Sequence, residues 1–297
     1  MRASLRATVI AGAVAVLASG CATDTVKRGY MPGYADGEVT NKTGELTHFW
    51  VGSWTALLVV GVIVWGLMLW CFAAYRKRRD DDQLPVQTRY HVPLEIMYVI
   101  VPLAMILALF YHSDKVVTDV TTVKGDADVH IQVIGKQWSW DFNYLDDDVY
   151  DTGQHLIDPG SQTAADEVDG APGTSTALPT LYLPQGEKVQ FILDSRDVVH
   201  SFWVPAFLFK LDVIPGHTNS FEIVPERIGT YAGKCAELCG EWHSGMLFNV
   251  KVVSPADYQA HMDKLREAGQ TGELGLDLNR QQHPQAVGAA NTEEAAD

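Results

Sequence analysis

Apolar residues along this chain fall into two contrasting patterns, long uncharged runs and short alternating stretches, and each predicts its own kind of element. Phe49 to Tyr75 is one run without a charged side chain. As a helix rising about 1.5 Å per residue it reaches roughly 40 Å, more than the ~30 Å hydrocarbon layer of a bilayer. Trp50 and Trp54 stand near one end, Trp70 and Tyr75 near the other, as interfacial aromatics should. A second run, Ile96 to Tyr111, reaches spanning length once Val92 to Glu95 is included, so a second membrane helix is expected over 92–113. Between them come Arg76, Lys77, Arg78 and Arg79, then three aspartates. Basic clusters stay cytoplasmic, which puts the 76–91 loop inside and both chain ends outside.

From Asp126 onward the texture changes. Val129, Ile131 and Val133 alternate with His130 and Gln132, and Phe248, Val250 and Val252 alternate with Asn249 and Lys251. Period-two alternation marks half-buried strands. Thr180–Leu183, Val189–Leu193 and Asn219–Val224 are further candidates, punctuated by Pro184-Gln185-Gly186 and Pro215-Gly216. The pattern predicts an all-β sandwich or barrel over 126–253, outside the membrane. Residues 146–179, rich in Asp, Gly, Ser, Thr and Pro, read as a long inserted loop. Ser254 and Pro255 predict the cap and first position of a helix that Gly269 ends, and 270–297 reads as a disordered tail.

The first twenty residues read as an export signal: Arg2 and Arg6, then an apolar stretch from Val9 to Leu17, then small residues. Leu17-Ala18-Ser19-Gly20-Cys21 resembles a bacterial lipoprotein box, which makes Cys21 a candidate for lipidation, with an extracytoplasmic segment over 21–48. The formal charge of −15 disfavours nucleic acid as a partner, since phosphates would be repelled, and favours a basic partner or simple solubility of an exported domain. Cys71, within the first run, reads as a small packing residue.

Chemistry concentrates in one segment. Cys235, Cys239, His243 and Met246 lie within twelve residues. Soft sulfur ligands select copper or zinc, imidazole suits both, and zinc sites seldom use a thioether. A second imidazole, His200, is available at the end of a predicted strand, in Val198-Val199-His200-Ser201. Two thiolates can bridge a pair of copper ions with one His finishing each, Met246 and the carbonyl of Glu237 serving as weak axial ligands. A Cys235–Cys239 disulfide and a structural zinc on His200, Cys235, Cys239 and His243 remain competing readings, as does a copper or zinc carrier of the cell envelope. No Cys-x-x-Cys-His occurs, so any haem is expected on another chain.

Cys-x-Glu-x-Cys-x-x-x-His-x-x-Met over 235–246, preceded by Asp197-Val-Val-His200-Ser, resembles the CuA motif of cytochrome c oxidase subunit II, and the likeness extends from about Thr47 to Tyr258. The resemblance implies a membrane α-helical hairpin followed by an all-β, cupredoxin-like extracytoplasmic domain in a bacterial cell membrane. It implies a binuclear copper centre on His200, Cys235, Glu237, Cys239, His243 and Met246, which takes electrons from a cytochrome c. Those electrons pass to haem in a catalytic subunit I, where oxygen is reduced and protons are moved. Glu237 would also hold a magnesium ion shared with that subunit. Gly135-Lys136-Gln137-Trp138-Ser139-Trp140 resembles the family's aromatic strand, which makes Trp138 the first acceptor, while Trp140 reads better as core. Glu95, ahead of the second run, matches a carboxylate at the mouth of a proton pathway. Asp197 is expected on the surface that docks the cytochrome. The 146–179 loop is longer than familiar members carry and suggests a membrane-bound cytochrome c within a larger respiratory assembly.

Overall fold

Two helices follow the uncharged runs and outlast them. In the computed structural model, which describes residues 31, 37–77, 86–153 and 178–276, α1 runs Thr43–Ala74 and α2 runs Val92–Thr121. Their 32 and 30 residues correspond to about 45–48 Å each. Polar residues end a membrane-crossing stretch without ending a helix, so α1 starts before Phe49 and α2 passes beyond residue 113. Both are long and apolar enough to cross a membrane, and their most apolar windows are wholly unburied. Large side chains such as Leu58, Val62, Trp65 and Phe72 face outward, as suits a helix whose solvent is lipid. The N-terminus of α2 is closed by a reciprocal cap. The Leu94 amide donates to His91 Nδ1 at 3.3 Å, and the His91 amide donates to a Glu95 carboxylate oxygen at 2.9 Å.

The β unit, separate from the helical one by its contacts, comprises Val120 onward together with Pro32–Gly44. Its strands are β1 Val129–Lys136, β2 Ser139–Tyr144, β3 Val149–Thr152, β4 Thr180–Pro184, β5 Val189–Ser195, β6 His200–Val204, β7 Phe209–Val213, β8 Asn219–Ile223, β9 Gly229–Cys235 and β10 Leu247–Val253. They form two five-stranded sheets, β3-β2-β1-β5-β8 and β4-β10-β9-β6-β7. The β1–β5 and β4–β10 pairs are parallel and the remaining neighbours antiparallel. Alternate residues of each strand close one core between the sheets, with Ile131, Val133, Leu181, Leu183, Phe191, Phe202, Phe248 and Val250 all at most 2% exposed. Helix α3, Pro255–Glu267, starts where Ser254 accepts from the Asp257 amide at 3.2 Å, and Gly269 follows its end with φ +75°.

Four expectations need correction. The first part of the 146–179 loop is strand β3, whose Asp151 pairs with Phe142. Gly135–Trp140 is not one strand: β1 ends at Lys136, β2 starts at Ser139, and Gln137–Trp138 form the turn of a hairpin. His200 opens strand β6 rather than ending one. The expected disorder does not begin at residue 270. The Tyr150 amide donates to Gln270 O at 3.1 Å and the Gly272 amide to Asp148 O at 2.9 Å. Asn143 bonds Leu274 through both its amide oxygen and nitrogen, and Arg196 reaches Gly275 O at 2.6 and 3.1 Å. A segment poor in apolar residues is thus ordered by backbone hydrogen bonds to buried partners, a force that hydrophobic content does not report. Residues 1–20, Cys21, 154–177 and 277–297 lie outside the described residues.

Candidate metal centre

The ligand segment hangs between the last two strands of the second sheet. Cys235 is the final residue of β9 and is fixed there by its amide, which donates to Met246 O at 3.0 Å. The next amide, of Ala236, donates to Ser201 O at 3.0 Å, stitching the loop to β6 and so to His200. A short 3-10 turn over His243–Gly245 carries the chain back, with the Met246 amide bonded to His243 O at 3.2 Å. Cys235, Cys239, Met246 and His200 are all buried at one end of the core.

The two sulfurs are 3.8 Å apart and unbonded to each other, well beyond the ~2.05 Å of a disulfide. Each is met by an imidazole: His200 Nδ1 lies 3.9 Å from Cys235 Sγ, and His243 Nδ1 lies 3.5 Å from Cys239 Sγ. Each also has a weaker donor nearby, Glu237 O at 3.2 Å from Cys235 Sγ and Met246 Sδ at 3.8 Å from Cys239 Sγ. Ligand atoms of His200, Cys235 and Cys239 lie within 4.8 Å of one another, a triad that does not include His243. The hydrogen bond from Cys239 favours the thiolate of Cys235 and holds its pKa far below the thiol range, while that same contact and burial push Cys239 far up. Two thiolates here need positive charge between them, which is the chemistry a metal centre supplies.

Further side chains position the site. Asp197 accepts from His200 Nε2 at 2.8 Å, from the Gln137 amide at 2.7 Å and from the Val198 amide at 2.7 Å. Burial alone would raise this carboxyl; the hydrogen bonds from His200, Gln137 and Val198 outweigh it and hold the group low. Burial likewise opposes the charge on His200, yet Asp197 and then Cys235 raise its pKa. The Asp197 side chain is 1% exposed. It is therefore unavailable as the docking charge expected of it; its work is to fix the far nitrogen of His200 and leave Nδ1 facing sulfur. Gln137 Nε2 donates to Cys239 O at 2.7 Å, tying the β1–β2 turn to the ligand loop. Behind the site, Arg196 and Lys136 flank buried Asp141 at 2.9 and 2.6 Å.

Trp138 stands half-buried in the hairpin turn against this loop. A Cβ built on Gly240, which has φ +129°, would come within 3.1 Å of the Trp138 ring and of Gln137. Trp140 is wholly buried, its Nε1 donating to Met246 O at 3.4 Å and its ring 6.1 Å from that of His200. The side chain of Glu237 is exposed, and only its carbonyl turns toward sulfur. Glu95 lies in the helical unit, engaged in the α2 cap. The sequence reading missed Gln137 and Gly135. A polar residue beside a tryptophan in a turn carries no distinguishing signal. At Gly135 an added Cβ would sit 2.8 Å from His200 Cδ2, a closeness set by pairing between distant strands.

The family model described as cytochrome C oxidase subunit II, periplasmic domain, matches residues 129–253. A probable cytochrome c oxidase subunit 2 of Streptomyces avermitilis is 42% identical over 95% of this chain and 93% of its own. Cytochrome c oxidase subunit 2 of Mycobacterium tuberculosis is 35% identical over 85% of this chain and 79% of its own. Among solved structures, the periplasmic domain of cytochrome oxidase subunit II from Bradyrhizobium japonicum aligns at TM-score 0.41 and 24% identity, covering 49% of this chain and 99% of that one. The identity shared with curated subunits across nearly the whole length places this chain in the cytochrome c oxidase subunit II family of bacteria.

Proposed function

We propose that this chain is the electron-receiving subunit of a haem–copper oxidase, and that His200, Cys235, Glu237 (through its carbonyl), Cys239, His243 and Met246 hold a binuclear copper centre. The observation that carries this reading is the pair of unbonded sulfurs 3.8 Å apart, each with its own imidazole and its own weak donor. Around one tetrahedral zinc at 2.0–2.3 Å, four ligand atoms would all lie about 3.3–3.8 Å apart. His243 stands outside the triad formed by the other three, and Met246 would have no task. Bound there, a copper pair supplies one-electron redox chemistry at small geometric change. The chain's own contribution is rigidity: strands β6, β9 and β10 fix the ligand ends, and Asp197 fixes the tautomer of His200.

Trp138, packed on Gly240 beside Cys239, is the residue through which an electron from cytochrome c would arrive. The exposed carboxylate of Glu237 is free to turn toward a magnesium ion at the boundary with subunit I. Glu95 remains a candidate for the mouth of a proton path, and its bond to the His91 amide gives it a capping role as well. The Arg76–Arg79 cluster orients the helices with that loop cytoplasmic, the β unit and both ends outside, and Cys21 available for a lipid. The stretch of sequence between β3 and β4 is the candidate for contact with a membrane-bound cytochrome c.

Copper quantification and electron-spin resonance on the purified chain test the central reading. Two coppers per chain sharing one unpaired electron is the expected result. One zinc, or one copper with a mononuclear signature, would overturn it in favour of an envelope metal carrier.

A further inference from the structure

We propose that Lys136 and Arg196 set the charge behind the ligands and hold up the reduction potential of the metal centre, a positioning role exercised through space without a ligand bond. Among the described residues these are the one buried lysine and the one buried arginine. Trp140 and Phe142 fill the core, so Asp141 between them points to the other face of the first sheet. There Lys136 Nζ lies 2.6 Å from one of its carboxylate oxygens and an Arg196 nitrogen 2.9 Å from the other. Each cation is next in sequence to a group at the His200–Asp197 pair. Gly135, before Lys136, backs the His200 ring, and Gln137, after it, gives its amide to Asp197 at 2.7 Å. Asp197 itself follows Arg196, whose amide donates to Gly135 O at 3.0 Å and joins the two cations into one patch. Thr152 Oγ1 at 3.1 Å from Lys136 Nζ, and Gly275 O at 2.6 and 3.1 Å from the guanidinium, keep both in place.

Stability does not account for this patch. Desolvating two cations against one carboxylate is unfavourable, and apolar side chains of the same size would fold as well or better. What apolar side chains would lack is the charge. Around the cations stand four carboxylates with buried side chains, Asp141, Asp151, Asp194 and Asp197. Asp194 is hydrogen-bonded by Gln132 Nε2 at 2.8 Å and Thr218 Oγ1 at 2.6 Å, and Asp151 by the Thr180 and Thr152 amides, all of them uncharged donors. Charges buried this way act over distance, because little water or salt screens them. The carboxylates favour the more positive, oxidised state of a centre nearby. Lys136 and Arg196 oppose them and make an incoming electron easier to accept. The inference rests on the copper reading above and deepens it.

Redox titration of the full chain, with copper content and spin resonance measured on each sample, tests it. At the potential where the parent holds equal reduced and oxidised copper, Lys136→Met and Arg196→Met should each lower the reduced-to-oxidised ratio at least about threefold. Lys136→Arg keeps the charge and should stay at the parent's ratio. Asp194→Asn removes a negative charge at nearly constant shape and should raise the ratio. A purely structural role would cost copper or stability without this dependence on the sign of the charge. With the two-copper signature intact, a ratio unmoved in both Met variants, or moved the same way by loss of a cation and loss of a carboxylate, would overturn the proposal. Absence of that signature from the parent would instead overturn the copper reading, and this inference with it. Should neither Met variant accumulate, Asp194→Asn decides, and no rise in its ratio would overturn the proposal.

Discussion

The imidazole of His200 is gripped from two sides, by Asp197 at Nε2 and by the close approach of Gly135 at its carbon edge. Replacing Asp197 with Ala frees the ring and leaves the Gln137 and Val198 amides without their acceptor. The expected outcome is a 10–100-fold loss of copper affinity in a competition titration, with the salt dependence of cytochrome oxidation unchanged because this carboxylate is not on the surface. Gly135→Ala pushes a methyl into the same ring, and a fall in copper occupancy together with a loss of about 1–3 kcal/mol in chemical denaturation is expected. Asp151 behaves differently. Burial raises its carboxyl to about 6, against hydrogen bonds from the Thr180 and Thr152 amides. A folded pKa above the unfolded one favours the protonated folded state, so this residue's contribution is best below pH ~4 and declines as pH rises through about 6. Asp151→Asn should therefore gain stability over the parent as pH climbs from 4 to 7, by roughly 2 kcal/mol in unfolding titrations. A difference that does not vary with pH would show that burial does not control the group.

Strand β2 explains both what was legible in the sequence and what was not. Trp140, Phe142 and Tyr144 alternate with Ser139, Asp141 and Asn143, which suggests one buried and one wet face, yet all six residues are buried. The polar face is covered because Asp141 engages Lys136 and Arg196, and Asn143 engages Leu274. Period-two patterns reveal strands whose second face meets water, and β1 and β10 were readable for that reason. The ligand set was readable because its chemistry is local, with four of the side chains within twelve residues. The partners of those ligands were not, since Gln137 and Gly135 reach the site only through the β1–β2 turn and the β1–β5 pairing. Deleting 270–297 would strip Arg196 and Asn143 of their carbonyl and amide partners. A loss of about 3 kcal/mol is expected, read as an earlier denaturation midpoint, and a truncation melting like the full chain would contradict that weight.

At the scale of the molecule, a chain with a net charge of −15 carries a ligand loop walled on one side by Trp138 of the hairpin turn. Trp138→Phe should leave copper content intact and slow reduction by cytochrome c at least tenfold in stopped-flow mixing; an unaltered rate would remove Trp138 from the route. The strap over Gln270–Gly275 adds a constraint in time. The guanidinium that sits one residue before Asp197, paired with Asp141, also donates to a carbonyl 79 positions further along. A chain synthesised from its amino terminus has made both thiols before that carbonyl arrives, so the arginine beside Asp197 gains its last hydrogen-bond partner only when the final stretch of polypeptide has followed.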